Sequence, residues 1–182
     1  MADYPTHSLL LDRFRFCPLC GSAHFVRSSV KSRQCRDCGF EYFLNASAST
    51  AAFVVNTQGE LLVCRRAKEP ARGTLDLPGG FVDADETIEE GLARELMEEL
   101  GCRVRRAQYL FSLPNRYLYS GTEVPTADCF FEVELEAEDI VRSGDDVEAT
   151  AWIPLDDVVP EAFGLHSIRQ AVELFLQRFN DR

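Results

Sequence analysis

Residues 80–101 constrain the fold of this 182-residue chain more than any other stretch. Ile88, Leu92, Leu96 and Leu100 recur every fourth residue, which lines them up on one face of a helix and commits that face to a core. The helical pattern runs from Glu86, with Asp85 and Glu86 where the helix dipole favours negative charge. Gly101 follows the last apolar residue, as a left-handed cap requires. Glu95, Glu98 and Glu99 stand at i, i+3 and i+4, so three carboxylates share a face. Like charges that close repel, so the face is either fully solvated or neutralised by a divalent cation. Carboxylate oxygens suit Mg²⁺ or Mn²⁺, which bind phosphate-bearing substrates through few protein ligands and retained waters. Ahead of the helix, Leu77-Pro78-Gly79-Gly80 is a tight turn whose glycines let a backbone carbonyl approach an ion or phosphate closely. Gly91, in mid-helix, costs about 1 kcal/mol relative to alanine and points to a close backbone contact.

Gly80, Glu86, Arg94-Glu95-Leu96, Glu98-Glu99 and Gly101 together resemble the Nudix box, the signature of the Nudix hydrolases. Cys102 departs from it, standing where the box usually has a bulky aliphatic residue; cysteine packs there as a small hydrophobe. The family's flanking pattern extends the likeness from about Ser47 to the C-terminus. The resemblance implies an α/β fold: a Nudix-type α/β/α sandwich with a mixed sheet. It implies Glu95 and Glu99 as direct Mg²⁺ ligands, Glu98 as a third, partly water-mediated ligand, and the Gly79 carbonyl as a backbone ligand. Arg94 would orient Glu95 by ion pairing, and Glu86 would support the loop-helix geometry and at times the metal set. The reaction so implied is attack of a metal-activated water on a pyrophosphate that links a nucleoside to another group. Glu95, Glu98 and a glutamate outside the box all remain eligible as the base.

Upstream, Cys17-Pro18-Leu19-Cys20 and Cys35-Arg36-Asp37-Cys38 form two C-x-x-C pairs with 14 residues between them, close to zinc-ribbon spacing. Four thiolates would hold one Zn²⁺ with no open position, making the site structural. Disulfides are the alternative. The chain has seven cysteines, and Cys64, Cys102 and Cys129 sit singly in apolar segments as buried thiols would. With no signal peptide ahead of them, the expected compartment is a reducing cytoplasm.

Hydrophobic residues make up 46% of the chain without a long apolar run, which predicts a globular protein with a substantial core and no membrane span. Two modules are expected: a zinc ribbon over residues 1–45 and a catalytic domain over 46–182. The net charge is −11, yet the first 45 residues carry six Lys/Arg against four Asp/Glu, so the acidity belongs to the catalytic part. Stable nucleic-acid binding is therefore not expected, since it needs a basic surface. His7, His24 and His166 are dispersed and form no triad. Ala48 to Val55 and Leu61 to Arg65, separated by Asn56-Thr57-Gln58-Gly59, predict a hairpin. Arg103 to Leu113 and Ala127 to Leu135 predict strands, Glu138 to Asp146 an acidic loop and Thr150 to Ile153 a short strand. Leu165 to Phe179 predicts an amphipathic helix with Ile168, Val172, Phe175, Leu176 and Phe179 inward.

A zinc ribbon joined to a Nudix domain resembles the NADH pyrophosphatase arrangement. Those enzymes carry a downstream motif of the form S-Q-P-W-P-F-P-x-S, and the segment from Ser112 to Ser120 keeps Ser112, Pro114 and Ser120, with Tyr117 in place of phenylalanine. The glutamine, the tryptophan and two prolines are missing, so the position of a specificity loop is kept and its substrate is not. Tyr117 and Tyr119 are candidates to stack on a base, with Arg116 near a phosphate or ribose; an ordinary aromatic hairpin loop is the alternative. The same enzymes place a glutamate in a Glu-Ala-x-Trp segment, and Glu148-Ala149-Thr150-Ala151-Trp152 is one residue longer. One residue reverses the face of a strand, so Glu148 joins the metal set where a bulge absorbs the extra residue. The resemblance implies hydrolysis of NADH, FAD or ADP-ribose type substrates and suggests a homodimer. A triphosphate-sanitising pyrophosphohydrolase, or a non-catalytic ligand-sensing regulator whose ribbon contacts a macromolecule, are the other readings.

Overall fold

A computed structural model describes residues 8–136 and 147–180. In chain order the elements are α1 (Ser8–Arg13), β1 (Phe25–Ser29), β2 (Ser32–Cys35), β3 (Glu41–Phe43), β4 (Ser47–Val54), β5 (Glu60–Arg66) and β6 (Leu75–Asp76). There follow α2 (Ile88–Leu100), β7 (Val104–Tyr119), β8 (Thr122–Leu135), β9 (Val147–Pro154), two short 3₁₀ turns and α3 (His166–Asn180). The chain divides into one unit of Met1–Ala46 with Arg116–Pro125, and another of Ser47–Asn115 with Thr126–Arg182. The acidic loop expected over Glu138–Asp146 lies outside the described residues.

In the first unit, β1, β2 and β3 form an antiparallel sheet in that order. Its small core is Cys17, Phe25 and Cys35, with Phe14, Phe40 and Tyr42 packed around it. Arg33 ties the sheet to α1 by donating to the Leu11 carbonyl at 3.0 Å and the Phe25 carbonyl at 2.6 Å.

The second unit is an α/β fold with two cores, one under each long helix. Successive side chains of a strand point to opposite faces, and β4 shows this: Ala51 and Phe53 join the core beneath α3, Ala52 and Val54 the core beneath α2. The same split divides Leu61 and Val63 from Leu62 and Cys64 on β5, and Phe130 from Phe131 and Val133 on β8. Leu92, Leu96 and Leu100 of α2 are fully buried, as the four-residue spacing requires, each contributing about 1.5–3 kcal/mol. On α3, Ile168, Ala171, Val172 and Phe175 are buried, with Phe175 stacked on Phe53 at 4.1 Å. Leu176 is half-buried, and Phe179, expected inward, is 40% exposed at the helix end.

Two local expectations change. The Asn56–Gly59 turn forms, with the Asn56 side chain accepting from the Gln58 and Glu60 amides, but β4 and β5 part after one bridge, Val55 to Leu61. Both edges of β4 are already taken. One pairs in parallel with β8; on the other, the Thr50 and Ala52 amides donate to the Gly80 and Pro78 carbonyls at 2.8 and 2.9 Å. β5 pairs instead with β6 and β9. The second change is the segment Ser112–Ser120, which is strand as far as Tyr119 rather than loop. β7 runs on to Tyr119 and turns into β8 through Ser120 and Gly121, both at positive φ (49° and 69°). Such a two-residue turn matches strand twist and extends a hairpin. Pro114 is tolerated because β7 is the outer strand of the order β4-β8-β7.

Candidate metal and phosphate site

The box helix begins two residues later than its charge pattern predicts. Thr87 is the N-cap: its hydroxyl accepts from the Glu90 amide, and the Glu90 carboxylate accepts from the Thr87 amide. That reciprocal pair is a capping box, and Gly101 closes the other end in the left-handed conformation, donating to the Met97 carbonyl. Glu86 thus lies outside the helix, free to fold back over its first turns.

Arg94 organises the acidic face. Its Nε donates to Glu86 Oε1 at 2.7 Å and its Nη2 to Glu86 Oε2 at 3.0 Å. Nη1 reaches Glu95 at 2.9 Å and Glu98 at 3.3 Å, and Nη2 also donates to the Phe81 carbonyl at 2.9 Å. One guanidinium therefore spaces three carboxylates that would otherwise repel, using the planar fork that lysine lacks. The Arg94 hydrogen bond, helped by the Asp83 amide, holds the Glu86 carboxyl below its usual range. Glu95 is mostly buried, whereas Glu98 is well exposed.

The glycine turn meets this helix. The Gly79 amide donates to Glu99 Oε2 at 3.0 Å. At Gly79 (φ 142°) a Cβ would lie 2.2 Å from the Thr50 carbonyl oxygen, and at Gly80 one would lie 2.5–2.7 Å from the Glu95 carboxylate. Close approach to the backbone of β4 thus requires Gly79, whereas Gly80 leaves room for a box carboxylate that a side chain there would displace. Gly91 has a similar reason: a Cβ there would come within 3.1 Å of Val82 and 3.3 Å of Glu86.

Glu148 lies on β9 at a register shift. Ala149 pairs with Arg65 and Val147 with Arg66, so Glu148 is the extra, bulged residue of β9. Arg116, Tyr117 and Tyr119 belong to the hairpin tip that falls in the other unit from the box. Arg116 pairs with Glu123 at 3.2 Å, and Tyr119 is exposed.

In the first unit, Cys17, Cys20, Cys35 and Cys38 bring their sulfurs within 4.8 Å of one another, an arrangement compatible with a zinc ribbon. The two knuckles repeat one geometry: the Gly21 amide donates to Cys17 O and the Gly39 amide to Cys35 O, with both glycines left-handed. None of the seven cysteines is in a disulfide. The Cys38 amide, aided by that of Asp37, pulls the Cys35 thiol down to about 6, while hydrogen bonds among the neighbouring sulfurs leave Cys20 and Cys38 raised. Cys64 and Cys102 are buried, and Cys129 is partly so.

The NUDIX domain model matches residues 46–175. The chain belongs to the Nudix family. It is 29% identical over 170 residues to the NAD-capped RNA hydrolase NudC of Stutzerimonas stutzeri, a match covering 92% of this chain and 58% of that protein. It therefore spans little more than half the length of such relatives. Among solved structures, a NUDIX hydrolase from Nitrosomonas europaea superposes with a TM-score of 0.71 at 20% identity, covering 90% of this chain and 91% of the other. A MutT NUDIX hydrolase from Burkholderia pseudomallei gives 0.60 at 30% identity, covering 71% and 97%.

Three features of this Nudix domain were not anticipated from sequence. The Thr87-x-x-Glu90 capping box carried a readable signal. The Arg66–Asp76 ion pair and the buried Asp128, which accepts from Ser49, Thr126 and Ser167, carried none, because they depend on how separate strands and α3 come together.

Proposed function

We propose that this protein hydrolyses the pyrophosphate linkage of a nucleoside diphosphate joined to another group, of the NADH, FAD or ADP-ribose type, releasing a nucleoside monophosphate. One observation carries the reading: Glu99 is fastened to the glycine turn while Arg94 fans out to Glu86, Glu95 and Glu98. This is a hard-oxygen donor set, which fits Mg²⁺ or Mn²⁺. Glu95, Glu98, Glu99 and the Gly79 carbonyl would hold it, with Glu148, at the register shift of β9, proposed as a further ligand. A bound divalent cation would acidify a water and screen charge on the phosphoryl oxygens. Arg94 fixes Glu95, and the proton acceptor is Glu95, Glu98 or a glutamate outside the box.

Tyr117, Tyr119 and Arg116 are the substrate-contacting candidates, for base stacking and for a phosphate or ribose. The four-cysteine cluster would hold one structural Zn²⁺, and a homodimer acting in the cytoplasm completes the proposal. The relatives' name extends the substrate class to an NAD cap on RNA, which presents the same pyrophosphate. Among the described residues, no helix is long and apolar enough to cross a membrane.

The test is a product assay with Mg²⁺ on a panel of dinucleotides and triphosphates. AMP plus a second monophosphate from NADH, FAD or ADP-ribose is expected. Release of pyrophosphate from triphosphates alone would instead identify a sanitising enzyme, and inactivity that persists with Mn²⁺ a ligand-sensing regulator.

A further inference from the structure

The base of the glycine turn holds an ion pair that nothing in the Nudix box requires. Arg66, the last residue of β5, and Asp76, the last residue of β6, are joined by a direct Nη1–Oδ2 contact, and their side chains are mostly buried. Burying two charges carries a desolvation cost that an apolar pair would avoid, so such a pair is weak evidence for stability alone. Its remaining hydrogen bonds point to another use.

Arg66 closes the loop over residues 67–74. Its Nε donates to the Pro70 carbonyl at 2.7 Å, its amide to Thr74 O at 3.0 Å, and its carbonyl accepts from the Gly73 amide at 2.9 Å. Asp76 faces the other way: its Oδ1 accepts from the Leu77 amide at 2.9 Å. Leu77 opens the turn whose Gly79 amide meets Glu99. Asp76 is also the cross-strand partner of Cys64.

We propose that Arg66 and Asp76 are positioning residues for the divalent-metal site: Asp76 fixes the Leu77 amide so that Gly79 meets Glu99, and Arg66 locks the 67–74 loop to that turn. The proposal rests on the metal-binding reading given above. It predicts that the pair sets metal affinity without contacting the metal.

The test is direct Mn²⁺ binding followed by electron paramagnetic resonance, with thermal unfolding of each variant recorded alongside. Asp76→Asn keeps the shape but loses the charge and is expected to weaken Mn²⁺ binding by about 10-fold or more, as for outer residues that orient ligands. Arg66→Lys keeps the charge but not the fork that serves both Pro70 and Asp76, and is expected to weaken binding by a smaller factor. Val158→Ala, a cavity variant in the core beneath α3, should lower the melting temperature and leave Mn²⁺ binding unchanged. Wild-type affinity in both pair variants would overturn the proposal, as would an equal loss in Val158→Ala. Failure of both pair variants to fold would assign the pair to stability and likewise overturn it. A wild-type protein that binds no Mn²⁺ would instead remove the metal reading itself, a separate outcome.

Discussion

At Gly80 a methyl group would sit against the Glu95 carboxylate, and the carboxylate, at the end of a flexible side chain, would be the part that moves. Gly80→Ala is expected to lower turnover by about 100-fold, the order lost to a 1 Å misplacement at a reacting centre, with little change in melting temperature; steady-state kinetics and calorimetry separate the two. Gly79→Ala meets backbone of β4 instead and sits at positive φ, so its expected loss is of the fold itself, read as a lower urea midpoint. Glu99→Gln removes a proposed ligand but keeps an acceptor for the Gly79 amide. Turnover should fall by at least about 100-fold, comparable to losing a charge-stabilising group, while the unfolding midpoint stays near that of the wild type.

The elements were legible from sequence in proportion to how locally they are determined. The helix α2 is set by its own leucine spacing and by Gly101, both of which the structure retains; it starts two residues later than its charge pattern implies, because acidic residues before Thr87 mimic a first turn. The β4–β5 hairpin failed as an expectation because the edges of β4 are filled by β8 and by residues 78–82, partners that no local pattern reveals. The extension of β7 to Tyr119 is hidden by a proline and by likeness to a loop motif, although Ser120-Gly121 marks the turn. Asp128 shows the same limit: it joins β4 through Ser49 and α3 through Ser167, contacts separated by 79 and 39 residues. Hydrogen bonds to a charged group are worth about 1.5–3 kcal/mol each and do not simply add. Asp128→Ala should therefore destabilise by about 3 kcal/mol, measured by urea denaturation, by loosening α3 from the sheet.

At the scale of the whole molecule, the two units gather different donor atoms: four clustered cysteine sulfurs in one and a face of carboxylates in the other. Elemental analysis is expected to find one zinc per chain. A strong chelator, or Cys17→Ser, should lower the stability of the ribbon, because structural zinc supplies folding free energy; a zinc-free native protein, or unchanged unfolding in the variant, would refute the assignment. The acidic α2 face and the glycine turn lie in the unit that the NUDIX domain model matches, so metal-dependent pyrophosphate chemistry is the central claim. Its most direct test is to incubate the full chain with NADH and Mg²⁺, resolve the products, and repeat with Glu99→Gln. The predicted result is AMP and reduced nicotinamide mononucleotide in equal amounts from the wild type and almost none from the variant. Intact NADH, FAD and ADP-ribose after prolonged incubation with either Mg²⁺ or Mn²⁺, or equal turnover by the variant, would contradict it.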